Sequence, residues 1–246
     1  MGIELTFDNA VATVLINHAG TKNAITLSMW QELVSACDDI RFSKARLVVI
    51  RGADHCFSSG ADIHELSELS TVRDAMVYWR SIKAAVNGIA HLDIPSIALI
   101  EGCCVGGALV LAVACDLRYV TSKSEFSLPI AKLGIILDRL NVARLITLVG
   151  RSNAKRMIFA GDTISGEHAY GIGLANEVVE ADQFESLIQQ QEKYICENDA
   201  YAIAHTKQQI RSIYGFWEPE SDEEETEEDR LVAESLVAFK SKSVTN

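Results

Sequence analysis

The chain has 246 residues, long enough to bury one sizeable core, and its composition, 48% hydrophobic and 23% charged, is that of a folded globular protein rather than a disordered one. A formal net charge of −12 argues against a general nucleic-acid surface and against an acidic membrane surface. The first residues, MGIELTFDNA, show neither a basic start nor an apolar run of signal length, and the longest apolar runs fall far short of a membrane span; a cytoplasmic protein without membrane association is expected.

In chain order, residues 3–7 and 11–16 read as a hairpin about Asp8-Asn9. A polar loop over 17–25 follows. Thr26 or Ser28 then starts a helix to about Ile40, with Met29, Leu33 and Ala36 at helical spacing. Leu47–Arg51 reads as a buried strand, 54–62 as a loop of small residues, 63–70 as a short helix and 72–91 as a longer one. Ile94–Ile100 reads as a strand with Pro95 near its start, turning at Glu101-Gly102. Gly106-Gly107 then opens an apolar helix, Ala108–Ala114, stopped near Cys115-Asp116. Two glycines at the mouth of a buried helix leave backbone N–H groups bare and let a ligand approach closely, which makes a ready site for an anion or oxyanion.

Beyond it, Leu117–Thr121 reads as a strand and 125–129 as a loop or edge strand. Helices are predicted over 139–149 to Gly150, over 153–160 to Gly161, and over 166–171 with Ser165 as cap. Val178-Val179 reads as a short strand, and helices fill the last third. No internal repeat stands out. The pattern is α/β with a helical C-terminal region. Residues 218–229 hold nine carboxylates and no base; they read as a solvated helix start with Ser221 and Glu224 as a capping box, or as an acidic patch for a basic partner.

The six cysteines, Cys37, Cys56, Cys103, Cys104, Cys115 and Cys196, include no CxxC pair and read as small buried hydrophobes in a reducing compartment, with Cys56 or Cys104 the candidates for a reactive thiol. The histidines form no metal-ligand spacing and no HExxH occurs, so no metal is expected.

Three stretches belong together: Asn23-Ala24 after a loop, Cys56-Phe57-Ser58-Ser59-Gly60-Ala61-Asp62, and Glu101-Gly102 through Gly106-Gly107 to Cys115-Asp116. Phe126, Pro129 and Gly134 follow, then Arg144-Leu145, Val149-Gly150, Gly161-Asp162, Gly173-Leu174 and Glu234–Phe239. In this order and spacing the chain resembles the crotonase superfamily, the enoyl-CoA hydratases and isomerases. The resemblance implies a spiral of ββα units over about residues 1–190, a helical trimerisation region over 191–246, and either homotrimers or dimers of trimers. It implies an acyl-CoA ligand in fatty-acid metabolism, with coenzyme A part of the substrate and no separate cofactor. The thioester carbonyl is then expected between the backbone N–H groups of Ala61 and Gly107. Ser59, Gly60 and Gly106 shape the approach, and Lys22 matches a position that often carries a basic residue near the CoA phosphates. His64 is expected on the surface.

A hydratase of this family uses two glutamates around a water. The matching positions here are Val110, three residues after Gly107, and Ile130, just after Pro129; neither side chain binds or deprotonates water. Ordinary hydration is not expected. Asp138, four residues after Gly134, matches an aspartate base of some family isomerases and offers a single acid/base for moving a double bond. The same residue also suits an ion pair with Arg139 or Arg144, or the cap of the helix that begins there. The absence of both glutamates further resembles actinobacterial homologues that bind acyl-CoA without hydrating it. On that reading Val110 and Ile130 make a greasy tunnel in a catalytically silent carrier or sensor, with Tyr78 and Trp79 read either as part of its lining or as simple core.

Overall fold

The structure, a computed structural model, describes residues 1–214 and 226–243. Strands β1 (Gly2–Asp8) and β2 (Val11–Asn17) form the expected antiparallel hairpin, and Asn9 at its tip takes a φ of 50°. Helix α1 (Leu27–Phe42) is capped by Thr26, whose hydroxyl accepts the Met29 N–H. It buries Met29, Trp30, Leu33, Ala36, Cys37 and Ile40, a stripe at helical spacing. Strand β3 (Leu47–Gly52), helix α2 (Ile63–Glu68), helix α3 (Val72–Ala90) and strand β4 (Ser96–Ile100) follow.

A three-residue strand β5 (Cys103–Val105) leads into α4 (Gly107–Ala114), then β6 (Leu117–Val120), β7 (Glu125–Ser127) and a short helix α5 (Ile130–Leu133). Helix α6 (Arg139–Ala160) contains a kink at Gly150, whose φ of 73° explains why two helices are legible on either side of it. Strand β8 (Ile164–Ser165), helix α7 (Gly166–Gly171), strand β9 (Glu177–Val178) and helices α8 (Phe184–Glu197), α9 (Ala200–Tyr214) and α10 (Glu227–Ser243) complete the described chain.

The main sheet has the order β1-β2-β3-β4-β6-β9 and is parallel from β2 onward; β5-β7-β8 form a second, small sheet. The apolar runs of β3 and β4 reflect burial on both faces. Val48, Ile50, Ala98 and Ile100 face the large core with α1, α3 and α4, while Leu47, Val49, Ile97 and Leu99 face a smaller one with Tyr119, Phe184 and Leu187. This is the mixed α/β architecture with a helical C-terminal region that the sequence implies. Strand β5 and helix α5 are not legible in the sequence: three or four residues between glycines and a proline are too few to show a period.

Helix α10 packs on α2 and α3 of its own chain. The box expected at Ser221 and Glu224 lies outside the described residues. The described one is Thr226 with Asp229: the Thr226 hydroxyl accepts the Asp229 N–H at 3.1 Å, and Asp229 Oδ2 accepts the Thr226 N–H at 3.2 Å. Asp229 therefore departs from the solvated reading of its acidic run. It is buried and accepts from the Trp79 indole at 2.7 Å and from Lys83 Nζ at 3.2 Å. Two further bonds tie the start of α6 and the loop before it to α10: Ile136 N–H to Ser235 Oγ, and Arg139 N–H to Glu228 Oε1.

Candidate active site

The loop after β3 is held against the loop after β2 by hydrogen bonds. Lys22 and Asn23 both stand at φ 54°, a left-handed conformation that asparagine tolerates and lysine rarely adopts. Asn23 is buried, and its amide nitrogen donates to the carbonyls of Ala53 at 2.8 Å and Cys56 at 2.6 Å. The Lys22 carbonyl accepts the Ser59 N–H at 2.9 Å, and Ser59 Oγ donates to the Thr21 carbonyl at 3.1 Å. Buried Ser58 donates through Oγ to the Asn23 carbonyl and accepts the Gly60 N–H. Ile25 then brackets Ala61: its N–H donates to the Gly60 carbonyl at 2.7 Å, and its carbonyl accepts the Asp62 N–H at 3.0 Å. Asp62 caps α2, accepting the N–H groups of His64 and Glu65; His64 itself is exposed.

This segment lies along β5. The Phe57 N–H donates to the Glu101 carbonyl, the Ser58 N–H to that of Cys103, and the Val105 N–H to that of Ser58. The two glycine mouths thereby meet. Gly60, at φ 94°, stands where a Cβ would collide with the Val105 carbonyl oxygen and come within 3.1 Å of Gly107 N, so no other residue fits. Gly106, at φ 56°, donates its N–H to the Ser127 carbonyl and starts α4 with no side-chain cap. A Cβ at Gly107 would lie 3.5 Å from Ala61 N. Among the described residues no acceptor is hydrogen-bonded to the Ala61 N–H or to the Gly107 N–H. The structure thus brings the two expected donors side by side, both bare, one at the N-terminus of a buried helix.

Val110, one turn into α4, and Ile130, at the start of α5, are buried in the large core at 6% and 9% exposure. No carboxylate replaces the family glutamates at either position. Asp138 is buried and caps α6: Oδ1 accepts the Asn141 N–H at 3.0 Å, and Oδ2 accepts from Asn141 Nδ2 at 2.6 Å. Arg144 does not pair with it but donates to the side-chain oxygens of Asn141 and Asn87, each at 3.0 Å. Lys22 is exposed beside the Ser59 loop.

Trp30 escapes the sequence reading of the site, and Tyr78 is read there only as tunnel lining or core. The Trp30 ring lies under Gly107, its Cζ2 3.3 Å from the position of a Gly107 Cβ, and its indole nitrogen is buried. Tyr78 donates through its hydroxyl to the Ile25 carbonyl at 3.2 Å, supporting the bracket around Ala61. Burial, with the charges of Glu65 and Asp62, pushes the Tyr78 phenol well above its ordinary range, so it stays a donor. Nothing in the sequence distinguishes either from an ordinary core aromatic at helical spacing.

A larger cavity, about 850 Å³, lies at the far end of α4 between α6 and α9, lined in part by Val113, Leu140, Leu148 and Ile203. Its Lys207 is already paired, with Asp116 at 2.6 Å and the Ile94 carbonyl at 2.8 Å. The bare donors lie elsewhere, at the glycine mouths.

The cysteine reading needs correction. Cys56 and Cys103 are joined as a disulfide, their Cα atoms 5.4 Å apart. They are 47 residues apart in sequence, a spacing that carries no motif, which is why the pair was illegible. Cys104 is not a reactive thiol: it is fully buried and burial pushes it well above the usual range. Among the described residues no group of His, Cys, Asp and Glu is arranged to hold a metal ion.

The profile of the family described as "Enoyl-CoA hydratase/isomerase" matches residues 6–235. The human mitochondrial methylglutaconyl-CoA hydratase is 33% identical over 178 residues, 72% of this chain and 52% of that protein, so the chain spans about half the length of this curated relative. The methylmalonyl-CoA decarboxylase of Escherichia coli is 29% identical over 217 residues, 87% of this chain and 82% of that one. A solved structure of methylmalonyl-CoA decarboxylase with 2-nitronate-propionyl-CoA superposes with a TM-score of 0.83 at 26% identity, covering 97% of this chain and 90% of the other.

Proposed function

Because the chain belongs to the enoyl-CoA hydratase/isomerase family of the crotonase superfamily, we propose that it holds an acyl-CoA thioester with the carbonyl oxygen between the N–H groups of Ala61 and Gly107. The observation that carries this reading is the pair of bare donors, adjacent in space and kept apart from every acceptor among the described residues. Ser59, Gly60 and Gly106 form the walls of the approach. Lys22, exposed beside Ser59, is assigned to the CoA phosphates.

Donors aimed at a thioester oxygen favour the enolate over the ketone form; removing one such donor from an enzyme typically costs about 3–4 kcal/mol of transition-state stabilisation. The reaction that uses the enolate must then suit Val110 and Ile130. Adding water does not, since no base holds it. Loss of carbon dioxide from a 2-carboxyacyl-CoA does. The C–C bond electrons pass into the thioester as the enolate while carbon dioxide leaves, an apolar wall disfavours the starting carboxylate, and no base is needed to begin. The α-carbon then takes a proton from solvent water to give the product. Decarboxylation is the favoured reaction, supported by the likeness to a decarboxylase over most of both chains.

Single-base isomerisation through Asp138 is the second reading, supported by the residue's burial near the start of α6. It requires the carboxylate to act while Asn141 engages both of its oxygens. A protein that binds acyl-CoA and turns over none is the carrier alternative.

The test is incubation with methylmalonyl-CoA and with crotonyl-CoA, followed by mass analysis. The expected product is the decarboxylated thioester, with crotonyl-CoA left unhydrated. Hydration within tenfold of the ordinary enzyme median, about 10 per second, would contradict the reading. Isomerised enoyl-CoA that disappears with Asp138→Asn would favour the second one. Thermal stabilisation by acyl-CoA without any product would favour the carrier.

A further inference from the structure

Cys56 and Cys103 stand at corresponding places in the two arms that carry the donors. Cys56 lies five residues before Ala61 and Cys103 four before Gly107. The arms touch at their roots because two glycines let them: a Cβ at Gly52 would collide with the Cys56 carbonyl oxygen, and one at Gly102 would come within 3.2 Å of the Cys56 Cα. The Cα separation of 5.4 Å lies within the normal range for a disulfide. Both residues are half-buried, so reagents in solution reach them. The other thiols differ. Burial pushes Cys37 and Cys115 up to about 12, and Cys104 well above the usual range, so these three stay protonated and inert. Cys196 is exposed on α8 with no cysteine partner among the described residues.

We propose that Cys56 and Cys103 form a reversible thiol–disulfide couple, a modification site whose oxidation state sets how firmly the hole grips a thioester carbonyl. The grip depends on the register between the arms. Between the first arm and β5 that register rests on the bonds from Phe57, Ser58 and Val105, and Gly60 reaches Gly107 only at the far end of this ladder. A covalent link at the root limits sliding of one arm past the other, so the oxidised form presents both donors together. The reduced form keeps the ladder and loses the link.

The oxidant is a low-molecular-weight disulfide such as oxidised glutathione. One cysteine thiolate attacks it, forming a mixed disulfide and releasing one glutathione thiolate. The second cysteine, losing its proton, displaces the other glutathione. Two protein thiols and one glutathione disulfide become one protein disulfide and two glutathione thiols.

This inference rests on the thioester reading above, and the test separates the two. The full chain is equilibrated with oxidised glutathione or with dithiothreitol, the free thiols are alkylated, and peptides are mapped by mass. Each form is then titrated with butyryl-CoA and with its thioether analogue S-butyl-CoA, which lacks the carbonyl. The expected result is a Cys56–Cys103 peptide that forms and disappears reversibly, and a thioester-over-thioether preference at least threefold larger in the oxidised form. Cys103→Ser should behave as the reduced form in either buffer; reduction of the unaltered chain gives the same comparison with no substitution. Failure to form the linked peptide, or an equal preference in the two forms, overturns the couple and leaves the hole standing. No preference for the thioester in either form overturns the hole and the couple's role with it.

Discussion

Helices α4 and α6 begin in opposite ways. At the start of α4 stands Gly106, with no side chain to offer, and the Gly107 N–H behind it has no acceptor among the described residues. At the start of α6 stands Asp138, whose two oxygens take the backbone and side-chain N–H groups of Asn141. The first terminus holds its positive end open; the second has neutralised it internally. α10 repeats the second pattern more strongly, since Asp229 serves the Thr226 cap, the Trp79 indole and Lys83 together. The same local electrostatics leave donors open where the cap is missing and make a structural joint where it is present.

Four substitutions or conditions probe this difference. The largest expected effect is at the open terminus. Gly107→Pro removes the donor while suiting the first position of a helix, so folding should survive with the Trp30 ring shifting by a few tenths of an ångström. Turnover that passes through the enolate should fall by roughly 10²–10³, measured as kcat on methylmalonyl-CoA.

Next is the joint at α10. Asp229→Ala leaves the Lys83 ammonium and the Trp79 N–H without their partner. It should destabilise by about 3 kcal/mol, near the low end for a broken buried pair because Lys83 keeps some solvent, and a urea midpoint reads this directly.

The same joint has a pH signature. Burial alone would raise the Asp229 carboxyl, but the Trp79 and Thr226 hydrogen bonds and the Lys83 charge hold it below its ordinary value. Its folded pKa is depressed, so its contribution is complete above the unfolded value of about 3.9 and is lost as pH falls through the folded one. Urea midpoints measured from pH 5 downward should therefore decline less in Asp229→Asn than in the unaltered chain.

The smallest effect is expected at α6. Asparagine caps a helix as well as aspartate but loses the bond from Asn141 Nδ2, so Asp138→Asn should destabilise by about 1 kcal/mol. Thioester affinity in a calorimetric titration should not move. A loss of turnover with unchanged folding would instead mark Asp138 as the base and erase the contrast drawn between the two helices.

What the sequence made legible follows the range of the forces involved. Periodicity marked α1, which buries one regular face, and continuous apolar runs marked β3 and β4, which are buried on both. The pairing of Ala61 with Gly107 came from the family resemblance, and the glycines explain it physically: a residue with a side chain at 60 would collide with Val105. The N-cap alternative for Asp138 was legible because a cap is a contact between near neighbours. Trp30 beneath Gly107, Tyr78 on the Ile25 carbonyl and Asp229 on Trp79 were not, since each joins elements far apart in sequence. The link between Cys56 and Cys103 was hidden for the same reason, and because it depends on the missing side chains of Gly52 and Gly102.

The most direct measurement is the infrared carbonyl stretch of butyryl-CoA carrying a carbon-13 label at the thioester carbon, bound to the protein. Two donors on the oxygen polarise the bond, so the stretch should move to lower frequency on binding and return toward its solution value in Gly107→Pro. A bound thioester whose stretch is the same in both proteins would show that the carbonyl does not lie between Ala61 and Gly107.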